Sequence, residues 1–237
     1  MCGRYTLDQV EALRARFMAE NGLEGFRATY NAASGQSLPG VTRNSPNCVE
    51  LMRWGLVPAW ADDPKVGYRM INAGAETVAE KPAFRSSFRS KRCLVPVTGY
   101  YEWKKEGTKK QPYYYRLREQ EAFALAGLSA EWHDAQGNEL RSFAVITTAA
   151  IELAAEVHDR MPVHHRPTAG RASAGRAGLT EQLPRGPGAK QTGSRSSWSF
   201  AEAASFSVMQ SLRLESARQM LAYPGTQARP MVITASR

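Results

Sequence analysis

The chain has 237 residues, of which 43% are hydrophobic and 22% charged, and its formal net charge is +9. This length allows a substantial core, in one large domain or two small ones. No apolar run approaches the ~20 residues of a membrane span, and no signal-peptide pattern opens the chain. We therefore expect a cytoplasmic, monomeric protein that does not associate with membranes.

The three cysteines, Cys2, Cys48 and Cys93, are far apart in the chain. An odd, scattered set is typical of reduced thiols rather than of a disulfide framework. Because no Cys-x-x-Cys pair is present, the sequence predicts no metal site, and no motif calls for a cofactor.

The positive charge is concentrated near the end of the chain. Residues 162–237 contain ten Lys or Arg against three Asp or Glu, and the first two-thirds is nearly balanced. A basic balance is often a sign of nucleic-acid binding. Here that inference has to rest on individual arginines of residues 1–161 and not on the overall charge.

The first predicted element is a helix over about residues 7–20, ended by Asn21-Gly22. Thr6 and Gln9 match a capping box, and apolar residues then recur at helical spacing.

Strands dominate the rest of the first two-thirds. Aromatic-rich stretches at 99–105 and 111–118 flank Glu106-Gly107-Thr108, which predicts a β-hairpin. The other predicted elements are strands at 48–54, 92–97, 122–132 and 142–148 and a short helix at 149–157. The pattern indicates a strand-rich α+β fold with short peripheral helices.

The composition changes near Pro162. Residues 163–237 are rich in Arg, Ala, Gly, Ser and Pro, and Pro167–Ser197 shows neither strand nor helix periodicity, which predicts disorder. Residues 199–222 have helix-forming composition but no clean apolar stripe. We expect a domain over residues 2–162 followed by an atypical tail.

Cys2 has a distinctive chemistry once Met1 is removed, as happens when a small residue follows. The new amino terminus carries a thiol beside an α-amine, with reference pKa values of about 8.5 and 7.7–8.0. Such a 1,2-aminothiol condenses with an aldehyde: the amine forms an imine and the thiol closes a thiazolidine ring. The ring-opened sugar of an abasic DNA site is an aldehyde of this kind. The alternative is an ordinary cysteine near a start codon.

Seven segments of the chain carry recognisable motifs, in this order: Met1–Tyr5, Tyr30–Ala33, Trp54–Trp60, Ile71–Thr77, Glu80–Phe84, Gly99–Lys105 and Val157–Pro162. In this order and spacing they resemble the SRAP family of abasic-site processing proteins related to the SOS response. The resemblance covers residues 2–162. It implies a β-barrel-like core, a groove for single-stranded DNA, and a thiazolidine DNA–protein crosslink that shields abasic sites. This is the chemistry of a self-crosslinking, lyase-like repair factor at the nucleoid, and a link to the replication machinery is implied by the resemblance alone.

The resemblance implies four catalytic residues: Cys2 as nucleophile, with Asn72, Glu102 and His158 around it. Glu102 lies among aromatic residues, where desolvation raises a carboxyl pKa towards neutrality and suits it to proton transfer. His158 has the pKa of a general acid–base group. The alternatives are a Glu102 paired with a nearby lysine and a structural His158.

Five further residues match DNA-contacting positions of the family. Arginine suits phosphate, and aromatic rings stack on bases at ~1–3 kcal/mol per base. The five are Arg4, Asn31, Trp60, Trp103 and Arg160. Core packing is the alternative for the two tryptophans.

The chain departs from the family pattern in two places. Gly74 stands where the family has arginine, which predicts weaker DNA binding and a smaller salt dependence. After Val163 nothing resembles the family, and the composition is that of a GC-rich gene translated out of frame. A frameshift near His164 is therefore our hypothesis for the tail.

Two other functions fit the sequence. In the first, Cys2 is the nucleophile of an N-terminal cysteine peptidase that removes its own Met1. In the second, the chain is a non-catalytic module that binds single-stranded DNA.

Overall fold

The computed structural model describes residues 2–17, 23–24, 26–45, 48–117, 122–165 and 220–224. Within these ranges the predicted strand-rich α+β fold is confirmed, with thirteen strands, three short α-helices and one 3-10 helix. The strands form two sheets, of which the second closes on itself.

The first sheet is antiparallel and contains the start of the chain. In spatial order its strands are β13 (Met220–Pro224), β8 (Lys109–Leu117), β7 (Gly99–Glu106), β1 (Arg4–Leu7) and β2 (Thr29–Ala33). Strands β7 and β8 are the predicted hairpin, and their turn includes Gly107 at a φ of 61°.

The second sheet is a closed five-stranded barrel. Its strands, in spatial order, are β10 (Glu139–Ala149), β4 (Glu50–Trp54), β3 (Ser37–Thr42), β6 (Arg92–Val97) and β9 (Phe123–His133). Because β9 also pairs with β10, the ring has no free edge. Three short strands extend it: β5 (Asn72–Gly74) and β11 (Arg160–Pro162) beside β10, and β12 (His164–His165) beside β9.

Trp54 joins the two sheets at the centre of the core. It is fully buried, with its ring 5.1 Å from that of Tyr5 in the first sheet and 6.2 Å from that of Phe143 in the barrel. Its Nε1 donates a 3.0 Å hydrogen bond to the carbonyl of Ile71. This bond holds the backbone immediately before β5, which carries Asn72.

Gly55 lets the segment after β4 fold back tightly. Its φ is 130°, and a Cβ there would lie 2.6 Å from the carbonyl oxygen of Gly67. No L side chain fits this contact without backbone movement. The close approach packs the 3-10 helix Pro64–Arg69 against β4, so that the chain enters β5 beside β10.

Two of the three described α-helices were predicted. Helix α1 spans Val10–Phe17 and begins three residues later than predicted, and α3 spans Glu152–Ala155, within the predicted 149–157. Helix α2, Arg85–Ser90, was not predicted. The capping-box prediction is wrong, because Thr6 lies in β1 and its hydroxyl bonds the hydroxyls of Thr98 and Tyr114, each at 2.8 Å. The predicted helical residues 18–20 and the predicted end of the helix at Asn21-Gly22 lie outside the described residues.

The predicted strands were found at the predicted positions, but some of them begin at other residues than predicted. The strand predicted at 92–97 is β6 as expected, β4 begins two residues late, and β10 begins three residues early. Several strands were not predicted, among them β3, whose Pro39 and Gly40 are poor strand formers.

The tail is largely outside the described residues, so its predicted disorder, its predicted helix and the frameshift stay hypotheses. Its described parts are Val163, β12, which pairs His164 with Leu125, and β13, which pairs Met220 with Leu117. Among the described residues, no helix is long and apolar enough to cross a membrane.

Candidate active site around the start of the chain

Cys2 lies just before β1 and is fully buried. Burial raises the pKa of its thiol well above the usual range, the nearby Glu102 charge adds to this, and the positive amino terminus opposes it. The thiol Sγ lies 3.9 Å from the carbonyl oxygen of Arg4. Burial therefore outweighs the amino-terminal charge, and the neutral thiol is favoured.

Asn72 fixes the backbone of Cys2. Strand β5 places it opposite Val145 of β10, and its Nδ2 donates a 2.9 Å hydrogen bond to the carbonyl oxygen of Cys2. Its Oδ1 is buried and accepts no hydrogen bond from the described residues. Since buried acceptors are normally satisfied, this oxygen is placed to accept an N–H or a hydroxyl brought to the site.

Glu102 faces the interior from the middle of β7. Tyr100 and Glu102 are buried and Tyr101 and Trp103 are half-exposed, as strand alternation requires. Burial raises the pKa of Glu102 to about 7, and the amino terminus opposes the rise. The predicted direction of the shift is confirmed. Its predicted cause is only partly right, because Tyr101 and Trp103 lie on the other face of the strand.

His158 follows α3 and is half-buried. Its Nδ1 accepts a 3.0 Å hydrogen bond from the backbone N–H of Arg160 and also lies 2.7 Å from a carboxylate oxygen of Asp159. The first contact needs a lone pair on Nδ1 and the second a proton, so the two belong to opposite protonation states. Burial, with the amino terminus, lowers the pKa of His158 although Asp159 raises it, so the neutral ring is favoured.

The four predicted catalytic residues converge on the start of the chain. Asn72 bonds Cys2 directly, and the amino-terminal charge, which Met1 carries in this chain, acts on the pKa values of Cys2, Glu102 and His158. A carboxyl with a pKa near neutrality and a neutral imidazole are groups of the kind that acid–base chemistry uses.

The predicted DNA-contacting residues are more dispersed. Arg4 lies on β1, opposite Tyr101 of β7, and is half-buried. It donates a 2.8 Å hydrogen bond to the carbonyl of Gly3, close to the site. Asn31 is exposed on β2, and Trp103 packs at the edge of Tyr101, with ring centroids 6.4 Å apart. Their DNA contacts stay predictions.

Trp60 lies away from Cys2. It is 62% exposed, and the carbonyl of its neighbour Ala61 accepts a 2.6 Å hydrogen bond from Trp132, which pairs with Leu140 at the start of β10. The site lies further along β10, where Asn72 of β5 pairs with Val145. At ~3.4 Å per residue, Leu140 and Val145 are roughly 17 Å apart. Contact between Trp60 and DNA stays a prediction.

Arg160 forms an ion pair and hydrogen bonds within the protein. Its guanidinium makes a bidentate ion pair with Glu76, both distances being 2.9 Å, and donates a 2.8 Å hydrogen bond to the carbonyl of Thr147. The hydrogen bonds from Arg160 lower the pKa of Glu76. No sequence motif gives Glu76 a role, because only the fold brings residues 76 and 160 together.

Gly74 lies directly beside this ion pair. A Cβ at Gly74 would be 3.4 Å from an Oε of Glu76 and 3.5 Å from an Nη of Arg160, which are ordinary contact distances. A side chain therefore fits at this position. An arginine there would add a second guanidinium beside Glu76.

We expect Gly74→Arg to tighten binding to intact single-stranded DNA about fivefold, which corresponds to roughly 1 kcal/mol for one exposed ion pair. The slope of log affinity against log salt should steepen by about 0.7, the contribution of one phosphate on a single strand. Fluorescence anisotropy across a salt series measures both, with Gly74→Gln as the uncharged control. An unchanged slope would mean that position 74 does not face phosphate.

In the described part of the chain, no group of three or more His, Cys, Asp or Glu side chains is arranged to hold a metal ion.

The fold and the site together define a class of protein: a strand-rich barrel in which the start of the chain lies beside an asparagine, a carboxyl and a histidine. The family model described as SOS response associated peptidase (SRAP) matches residues 1–172. The chain belongs to the SRAP family, as its motifs indicated.

The relatives of this chain include proteins named abasic site processing protein. YoqW of Bacillus subtilis is 43% identical over 168 residues, covering 69% of this chain and 75% of YoqW. YedK of Escherichia coli is 31% identical over 179 residues, covering 72% of this chain and 78% of YedK. HMCES of Xenopus tropicalis is 33% identical over 141 residues, covering 50% of this chain and 42% of HMCES.

A crystal structure of a protein from Bacteroides thetaiotaomicron has a similar fold. Its TM-score is 0.69 at 24% identity, and the match covers 94% of this chain and 91% of the other. At this identity the likeness concerns the fold alone.

Proposed function

We propose that this protein captures abasic sites in single-stranded DNA by forming a thiazolidine through Cys2, and so shields the lesion from cleavage. The observation that carries the proposal is the placement of Cys2 within hydrogen-bond reach of Asn72 and within the electrostatic reach of Glu102. The names of the relatives YoqW and YedK support abasic DNA as the substrate. Such a role places the protein at the nucleoid.

The reaction begins when removal of Met1 makes the nitrogen of Cys2 a free α-amine. This amine attacks the aldehyde carbon of the ring-opened sugar, and the resulting carbinolamine loses its hydroxyl as water to give an imine. Glu102, with a pKa of about 7, takes a proton from the attacking nitrogen and returns it to the departing hydroxyl. The Cys2 sulfur then adds to the imine carbon while its proton passes to the nitrogen.

The two other residues hold the reacting groups. The Asn72 Oδ1 accepts a hydrogen bond from the amine or from a sugar hydroxyl. His158, neutral at physiological pH because its pKa is lowered, assists opening of the deoxyribose ring by exchanging a proton with the ring oxygen.

Incubation with an oligonucleotide that contains one abasic site, followed by a denaturing gel, tests the proposal. We expect a slowly migrating adduct with the abasic strand and none with the intact strand of the same sequence. A non-catalytic module would bind both strands in native gels and leave no adduct on the denaturing gel, which would refute the proposal.

A cysteine peptidase is the second candidate, favoured by the description of the matched family. Burial and the Glu102 charge act against it, since they raise the pKa of the Cys2 thiol and disfavour the thiolate that attacks a carbonyl. Cleavage of a model peptide in the absence of DNA would support this second candidate.

A further inference from the structure

Three buried tyrosines lie side by side behind Cys2. Tyr5 of β1 is directly opposite Tyr100 of β7, which in turn is directly opposite Tyr115 of β8. Opposed residues share one face of a sheet, so the three rings form a row across neighbouring strands. Each is at most 1% exposed, and the rings of Tyr100 and Tyr115 stack with centroids 5.2 Å apart. We call these three residues the tyrosine row.

The hydroxyls of the tyrosine row are buried, and no group of the described residues hydrogen-bonds to them. Phenylalanine would fill the same space without a polar atom, and a buried hydroxyl without a partner costs about 1–3 kcal/mol. Three such hydroxyls in one row are therefore a costly arrangement if they bind nothing. Native proteins satisfy buried groups of this kind with ordered water.

His164 is a further polar group beside this row. It is 3% exposed, its ring centroid is 5.7 Å from that of Tyr100, and neither ring nitrogen has a hydrogen-bond partner among the described residues. Burial lowers the pKa of His164 to about 4, so the ring is neutral and offers one donor and one acceptor.

The row borders the catalytic carboxyl. Glu102 is two residues from Tyr100 on β7 and lies on the same face of the strand. The pKa values of Tyr100 and Tyr115 are raised mainly by burial, and the charge of Glu102 raises them further. Cys2 also contributes to the raised pKa values of Tyr5 and Tyr100. The hydroxyls are thus close to the groups that exchange protons.

We propose that the tyrosine row and His164 hold ordered water, and that this water carries the proton which Glu102 exchanges during imine formation. This role rests on the proposed function. No proton is gained or lost overall: the one released by the attacking amine rests on the carboxyl or on the water until the hydroxyl departs. The buried site can thus run its proton transfers without opening to solvent.

Several charged or titratable groups face Glu102. The amino terminus and Asp159 act on its pKa, and its own charge raises the pKa values of Cys2, Tyr100 and Tyr115. The test therefore changes only hydroxyls, which leaves every formal charge near neutral pH in place.

The experiment is an NMR titration of the Glu102 carboxyl in free protein lacking Met1, in the wild type and in Tyr100→Phe, Tyr115→Phe and the double variant. Loss of a hydroxyl that stabilises the carboxylate through water should raise the pKa of Glu102 by about half to one unit. The pH profile of adduct formation should move by the same amount in the same direction. Tyr68→Phe, an exposed tyrosine at 61%, is the matched control and should leave the titration unchanged.

An unshifted Glu102 titration in the folded double variant would overturn the proposal, as would an equal shift in Tyr68→Phe. If the double variant does not fold, each single variant gives the same test, because phenylalanine keeps the ring. The titration needs no DNA. A shifted titration without any adduct would refute the proposed function alone, whereas an adduct without a shift would refute the water network alone.

Discussion

Cys2→Ser should abolish the adduct that survives a denaturing gel and yet leave an adduct that borohydride can trap. The serine variant keeps the α-amine, so the imine still forms at the abasic aldehyde. It lacks the sulfur that closes the thiazolidine, and an imine hydrolyses once the protein unfolds. The expected loss without borohydride is complete, because no other described residue supplies a 1,2-aminothiol.

Cys48→Ser is the matched control. It removes a half-exposed thiol whose residue has no free α-amine, because the nitrogen of Cys48 is part of a peptide bond. Its adduct should equal that of the wild type. Intact-mass spectrometry of each protein confirms that Met1 has been removed. A durable adduct in Cys2→Ser, or its loss in Cys48→Ser, would place the nucleophile elsewhere.

Glu102→Gln should slow adduct formation at pH 7 by about a hundredfold or more, the usual contribution of a positioned acid–base group. Glutamine keeps the shape of the side chain but cannot carry the proton between the amine and the departing hydroxyl. The wild-type rate should rise with pH through about 7, because Glu102 must lose its proton before it can take one from the attacking amine, and the variant should lack this inflection. Single-turnover rates between pH 5 and 9 measure both effects.

Glu106→Gln, an exposed carboxyl at the end of the same strand, is the control and should keep the wild-type rate and pH profile. If Glu102→Gln retained the wild-type profile, the inflection near pH 7 would belong to another group, and His158 would be the first to test.

The same substitution should change the pH dependence of stability. The folded-state pKa of Glu102 is about 7 and its unfolded value 4.5, so the folded protein binds more protons within this window. The free energy of unfolding of the wild type therefore falls as pH rises from 4.5 to 7, through this group by at most about 3 kcal/mol. Urea denaturation measures the free energy of unfolding of the wild type and of Glu102→Gln at pH 4.5 and at pH 8. The difference between the two proteins should change by this amount between the two pH values. A constant difference would mean that Glu102 is not buried in solution.

The sequence predicted the hairpin and the long strands correctly because their signals are local. The pairing of β7 with β8 follows from clustered aromatic residues on either side of a turn at Gly107. The three-residue strand β5 has no such signal, since its hydrogen bonds come from β10, more than 70 residues later. The capping box at Thr6 failed because pairing with β2 and β7 outweighed a local helix signal.

The chemistry proposed for Cys2 rests on the sequence alone, because a 1,2-aminothiol needs only a cysteine behind a removable methionine. Which groups surround it was decided by the tertiary structure. The alternation of β7 buries Glu102 and turns Trp103 outward, and burial then sets the pKa of the carboxyl. Likewise Glu76 holds Arg160, and three tyrosines meet behind the site, only because distant strands lie side by side. Burial and pairing are properties of the folded chain, so no local pattern of residues predicts them.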